Sequence, residues 1–189
     1  MKRLMVLFLG CVVIFSGCGS QKKKIESLIP QLNDESVEVR RAAVVELSKI
    51  GKPVAVPSLM KALDDESEHV YSVAAEALVK IGEPAIPALI QVLSNEKAQG
   101  RDVVVEVLGQ IGEPAIPALI EVFADENVQG LASAALRMIG EPAKDAVPAL
   151  IQALSDEEKG INIRGSAVEA LGEIGTPEAI DAVKKYKQR

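Results

Sequence analysis

Along most of the chain the apolar residues recur at spacings of three and four, the period of a helix that buries one face. Ile86, Leu89, Ile90 and Leu93 follow this spacing within a short run, and a polar turn comes after them. A longer apolar run then repeats five times in the chain, and its copies align into columns. Ala43, Ala74, Val104, Ala132 and Ala167 form one column, and Leu47, Leu78, Leu108, Leu136 and Leu171 stand four residues further on. Three residues beyond each Leu come Ile50, Ile81, Ile111, Ile139 and Ile174. Positions i, i+4 and i+7 share one side of a helix, so every copy predicts an amphipathic helix B, with small residues where helices must approach closely. The shorter run before the turn predicts a helix A.

The unit is marked by Ile-Gly-Glu-Pro-Ala-Ile-Pro-Ala-Leu-Ile, which occupies 81–90 and returns letter for letter over 111–120. Weaker copies open at Ile139, Ile50 and Ile174. The glycines after these isoleucines fall at 51, 82, 112, 140 and 175, giving intervals of 31, 30, 28 and 35 residues, the length of a helical hairpin. Pro84 and Pro87 suit the first turn of helix A, where amides lack intrahelical acceptors, and would not be tolerated in a central strand. Each Gly suits a left-handed helix end. No unit can bury its stripe alone, so neighbours must stack. The predicted fold is all-α, an α-solenoid (α-α superhelix) of about five two-helix repeats over residues 25–189 with a C-terminal capping helix. That cap runs from Pro177, with a basic last turn at Lys184, Lys185, Lys187 and Arg189 that favours the helix dipole.

The turns between A and B are polar, as in Asn33 to Ser36, Asp64 to Ser67, Ser94 to Glu96, Asp125 to Asn127 and Ser155 to Glu158. Their side-chain oxygens are expected to cap the free amides of helix B. None has the alternating ligands and glycine of a calcium loop. From the helix-A proline to the column Leu the second and third units measure 21 residues, the fourth 19 and the fifth 23. The variation falls in the turns. The longest, Glu157 to Asn162, is either a functional loop or a plain length change at the surface.

The residues of the first unit resemble the HEAT-like repeats first named from phycobilisome lyases. That pattern, an Asp after helix A, then Val-Arg, Ala-Ala-x-x-Leu and Ile-Gly, is met by Asp34, Val39, Arg40, Ala42, Ala43, Leu47, Ile50 and Gly51. Later copies keep Asp65, Arg101, Asp156 and Arg164 but place Tyr71 and Gln129 at the Arg position. The resemblance implies a superhelix whose B helices line a concave side, and an Asp–Arg ladder between repeats that is incomplete here.

Composition adds limits on partners. The chain has 189 residues, 48% hydrophobic but only 3% aromatic, with a formal charge of −6 that becomes −8 once Lys2 and Arg3 are removed. An acidic body argues against nucleic acid. Both cysteines, Cys11 and Cys18, lie in the first twenty residues, so no disulfide can staple the repeats.

Lys2 and Arg3, the apolar run from Leu4 to Phe15 and the small residues around Cys18 follow the order of a secretory signal. The run is short for a membrane span, which needs about 20 apolar residues. Phe15-Ser16-Gly17-Cys18 resembles the lipobox of bacterial lipoproteins. The resemblance implies cleavage after residue 17, lipidation of Cys18 and an extracytoplasmic, membrane-held protein. Gly19 lacks the Asp of inner-membrane retention, which favours the outer membrane in a Gram-negative cell and otherwise leaves the cell membrane. Residues 18–24, ending in Lys22, Lys23 and Lys24, are expected to form a polar tether of at most about 20 to 25 Å.

Candidate chemistry is sparse. His69 is the only histidine and has no Cys or second His with which to build a metal site, and the paired His-Glu motifs of the HEAT-fold iron hydroxylases do not occur. No spacing suggests a nucleophile with its base, so no catalytic, cofactor or metal residues are assigned. A binding face is easier to place. Opposite the Leu column helix B carries Arg41, Ser72, Glu76, Asp102, Glu106, Arg137 and Glu169, a polar face without aromatic anchors that suits a protein or peptide partner better than a glycan. The expected function is a membrane-anchored scaffold or adaptor. The alternative is an accessory or lyase-like factor in envelope biogenesis, which a ligand- or metal-dependent shift in melting temperature would reveal.

Overall fold

The computed structural model describes residues 20–123, 125–156 and 160–188. Among these residues the secondary structure is entirely helical. Helix α1 covers 20–28, and α2 (Val37–Ile50), α3 (Val56–Ala62), α4 (Glu68–Ile81), α5 (Ile86–Leu93) and α6 (Arg101–Ile111) follow. The chain continues with α7 (Ile116–Val122), α8 (Gln129–Ile139), α9 (Val147–Ser155), α10 (Ile161–Ile174) and α11 (Pro177–Lys187). Short A helices alternate with longer B helices, giving the all-α, α-solenoid class expected. The chain divides into two compact units, 1–77 and 78–189, with the division inside α4.

The columns are buried as their spacing requires. Leu47, Leu78, Leu108, Leu136 and Leu171 are at most 1% exposed, and the small-residue column is sealed completely. Each such Leu contributes about 1.5–3 kcal/mol by leaving water. Helix A supplies a matching row, Leu59, Leu89, Leu119 and Leu150, also with no exposure. In the second unit α6 packs on α5 and α8, α8 on α7 and α10, and α10 on α9 and α11. The isoleucine column differs. Ile50, Ile81, Ile111 and Ile139 are half-buried because they close the helix at the edge of the seam, whereas Ile174 is buried where α11 packs on α10.

The glycines end helix B in two ways. Gly51 and Gly175 adopt the expected left-handed conformation, with φ/ψ of 57°/25° and 67°/11°. Gly82, Gly112 and Gly140 keep φ positive, at 72°, 79° and 69°, but swing ψ to −136°, −139° and −139°. That swing directs the chain into a 3-10 turn, Glu83–Ala85, Glu113–Ala115 or Glu141–Ala146, before helix A. The Ala85, Ala115 and Ala143 amides then donate to the carbonyls of those glycines at 2.8–2.9 Å. The inserted residues near Lys144 lengthen this turn to six residues in place of three. Period differences thus leave the core rows in register.

Side-chain capping differs from expectation. Asp34, Asp65 and Asp125 accept from the amides of Ser36, Ser67 and Asn127 at 2.9 Å, and Asn95 accepts from Lys97 at 3.1 Å. These short side chains are satisfied two residues ahead, before they reach the first amides of helix B. At Ser36, Gly100, Val128 and Gly160 no side-chain cap forms. Thr176 does cap α11, accepting from the Ala179 amide at 3.2 Å.

The boundary at the first repeat also differs. Helix is already present from Ser20, so residues 20–24 are not an extended tether. Ile25 and Leu28 are buried, and Lys24 donates to Glu46 on α2 at 2.8 Å, which gives the helix a reason to extend towards its N-terminus. Lys49 reaches the other Glu46 oxygen at 2.6 Å. Flanked by these ammonium groups, first Lys24 and then Lys49, the Glu46 carboxyl is lowered to about 2. A carboxylate depressed on folding stabilises above its unfolded value, about 4.3, and loses that contribution as pH falls towards 2. Acidification from pH 5 to 2 should therefore lower hydrogen-exchange protection, corrected for the intrinsic rate at each pH, in 20–28 before the Leu-column helices, and Glu46→Gln should abolish this early step. An unchanged early step in that variant would show that Glu46 does not secure α1.

Candidate protein-binding face

The residues proposed for binding lie on B helices. Arg41 on α2 and Glu76 on α4 are exposed, and Ser72 on α4 is half-buried. In the second unit Asp102 and Glu106 on α6, Arg137 on α8 and Glu169 on α10 are all exposed. Of these the structure joins Arg137 to Glu169, whose Nη1 and Oε2 lie 3.2 Å apart between neighbouring repeats. This pair was not foreseen. Its signal was that Arg137 follows the fourth column Leu by one residue while Glu169 precedes the fifth by two. With the side chains 46% and 68% exposed, water screens the contact, so either group remains available to another charge.

At the edge of the B helices the arginine ladder is uneven. Arg40 holds Asp65 with two donors, Nε to Oδ2 at 2.6 Å and Nη2 to Oδ1 at 3.0 Å, while Nη1 donates to the Asp34 carbonyl at 2.9 Å. The Arg40 guanidinium, with help from the Ser67 amide, holds the Asp65 carboxyl below the usual carboxylate range. Arg101 instead binds carbonyls, donating from Nε to Leu93 and from Nη2 to Asn127, each at 2.9 Å. Gln129 stands where an Arg would continue the ladder. Shorter and uncharged, it folds inward to 1% exposure and leaves its Oε1 without a hydrogen-bond partner among the described residues.

One turn along α8, Ser133 is 3% exposed and its Oγ likewise has no partner among the described residues. Sequence reasoning missed Ser133 because its column is apolar in the other repeats, Val44, Ala75, Val105 and Val168, and it placed Gln129 at the Arg position without showing that the side chain turns inward. They stand beside a surface of small residues. Gly130 and Gly165 lie within α8 and α10, and a Cβ built on either meets nothing within 4 Å. Gly109 is different, since its Cβ would come within 2.8 Å of the Met138 Cβ. Close helix packing accounts for Gly109 but not for Gly130 or Gly165.

His69 is exposed on α4, and no group of three or more His, Cys, Asp or Glu residues able to hold a metal occurs among the described residues. Residues 1–17, Cys18 and the turn residues Glu157, Glu158 and Lys159 lie outside the described residues. Among those described, no single helix is long and apolar enough to cross a membrane.

Paired helices in register, with a polar outer row on each B helix, define a helical-repeat protein of the α-solenoid class. HEAT repeats match over 25–104, 70–140 and 116–188, and the chain belongs to the HEAT-repeat family. No curated protein matches it by sequence. Among solved structures it is similar to human deoxyhypusine hydroxylase in complex with glycerol, with 22% identity, a TM-score of 0.51 and coverage of 89% of this chain and 69% of that one. An engineered protein shows 19% identity, a TM-score of 0.42 and coverage of 86% of each chain. The complex of CpcE and CpcF of phycocyanin lyase from Nostoc sp. shows 29% identity and a TM-score of 0.38, over 87% of this chain and 71% of that one. At 22% identity, the likeness to the hydroxylase extends to the fold alone.

Proposed function

We propose that this protein is a lipid-anchored, extracytoplasmic bacterial scaffold or adaptor whose B helices hold a protein or peptide partner. The observation that carries the scaffold reading is the polar, aromatic-free outer row of helix B, made by residues that the buried columns do not use. The anchor rests on the lipobox-like Phe15 to Cys18, with lipidated Cys18 as the membrane contact. The described helix starts at Ser20, two residues after that Cys, and two residues can span at most about 7 Å, which favours a partner close to the membrane. Two or three acyl chains, at about 0.8 kcal/mol per buried methylene, hold such a protein stably. We assign it no catalytic residue, cofactor, metal or nucleic-acid partner.

Proximity labelling from the anchored protein tests both parts. Cys18→Ala should abolish palmitate incorporation and release the chain from the membrane fraction. Reversing Glu76, Asp102 and Glu106 to Lys should remove particular envelope proteins from the labelled set while leaving helicity intact. An unchanged set would reject this face, and membrane retention of the Cys18 variant would reject the anchor.

A further inference from the structure

We infer that the lysine-rich end of the first helical hairpin, formed by Lys22, Lys23, Lys49 and Lys52, rests on the anionic phospholipid headgroups of the membrane that holds the anchor. This deepens the lipid-anchored reading and rests on it. From α1, where Ile25 and Leu28 are buried, the chain reverses through a 3-10 turn, Pro30–Asn33, into α2. Lys24 on α1 meets Glu46, one turn short of the C-terminal end of α2. The residues before Lys24 and those after Glu46 therefore share one end of the hairpin. Cys18 precedes Ser20 by two residues, so acyl chains on it tie this same end to the bilayer.

The charges of this unit are sorted along the hairpin. Asp34, Glu35 and Glu38 stand at the start of α2, and Arg40 fixes Asp65 beside them, so carboxylates collect at the end away from the anchor. At the anchored end five lysines, with Lys24 included, face Glu46 and the exposed Glu26 further along α1. Glu46 is already bridged by Lys24 and Lys49. Lys22, Lys23 and Lys52 are exposed and make no ion pair among the described residues, so folding makes no use of their charge. The turn after helix B also changes sign along the chain. Lys52 occupies the position held by Glu83, Glu113 and Glu141 in the next three units, and the basic residue stands in the unit that adjoins the anchor. Val54, two residues on, is 42% exposed and adds an apolar group to the same turn. Acyl chains hold the patch at high effective concentration beside the headgroups, where lysines are attracted by anionic lipid.

The test uses the acylated protein in vesicles of phosphatidylcholine with or without phosphatidylglycerol, footprinted with an amine-reactive reagent and read by mass spectrometry. Labelling of Lys22, Lys23, Lys49 and Lys52 should fall by about threefold or more on the anionic vesicles, and added salt should restore it. The exposed Lys144 and Lys184 should react equally on both. Lys22→Gln with Lys23→Gln and Lys52→Glu leaves both Glu46 bridges in place, and should abolish the difference at Lys49 without changing the melting temperature. Equal labelling of the native protein on the two vesicles would overturn the headgroup contact while leaving the anchor intact. Stronger protection by soluble polyglutamate than by the anionic vesicles would also overturn it. An intact mass without acyl chains would reject the anchor separately, and the same footprint with added vesicles would then decide the headgroup contact by itself.

Discussion

Leu108→Ala is expected to destabilise the second unit by about 2–5 kcal/mol, read as a lower urea midpoint with an unchanged slope. Leu108 has no exposed surface and lies on α6, which packs on α5 and α8. Val104 and Val105, four and three residues earlier on the same helix face, are buried β-branched residues with few rotamers, so the space left behind closes poorly. A cavity costs more when its walls cannot relax, which places the effect in the upper half of that range. Ile111→Ala is the internal control. That residue is only half-buried, so its loss should be clearly smaller. Equal losses at the two sites would mean that the Leu column is not the main seam between repeats.

The second large effect is expected at Gly112, where Ala should cost about 1–3 kcal/mol through the backbone alone. With φ 79° and ψ −139°, Gly112 occupies a region that L-residues avoid, yet an added Cβ meets no atom within 4 Å. The cost is therefore conformational and cannot be relieved by moving a neighbour. Gly51 supplies the contrast, since φ 57° and ψ 25° form the left-handed helical region that Asn tolerates. Gly51→Asn should be nearly neutral in thermal melting, and Gly112→Asn should lower the midpoint about as much as Gly112→Ala. Rescue by Asn at Gly112 would show that the turn into Glu113–Ala115 relaxes to an ordinary left-handed cap.

Much of the fold was legible because each unit repeats the same physical requirement. A Leu that recurs five times at one helical position, with a small residue four places earlier, leaves little choice of buried face. The candidate face was legible only by exclusion, as the side of helix B away from that stripe. Its useful details depend on which groups meet. Arg137 and Glu169 are 32 residues apart and pair only when α8 lies beside α10, and the open space at Gly130 and at Gly165 shows only once the neighbouring helices are in place. The polar turns misled in a similar way. Asp and Asn can cap a helix or close a two-residue turn, and the local backbone selects the turn.

By itself the sequence determined the all-helical class, the repeat boundaries and the buried rows, because helical period and side-chain volume act within a few residues of one another. Only the tertiary structure decided that helix extends back to Ser20, that Gly82, Gly112 and Gly140 depart from the ordinary left-handed cap, and that Ser133 is buried without a hydrogen-bond partner among the described residues. Each of these depends on a surface or turn contributed from elsewhere in the chain. Periodicity along one helix carries no information about the shape of the helix laid against it.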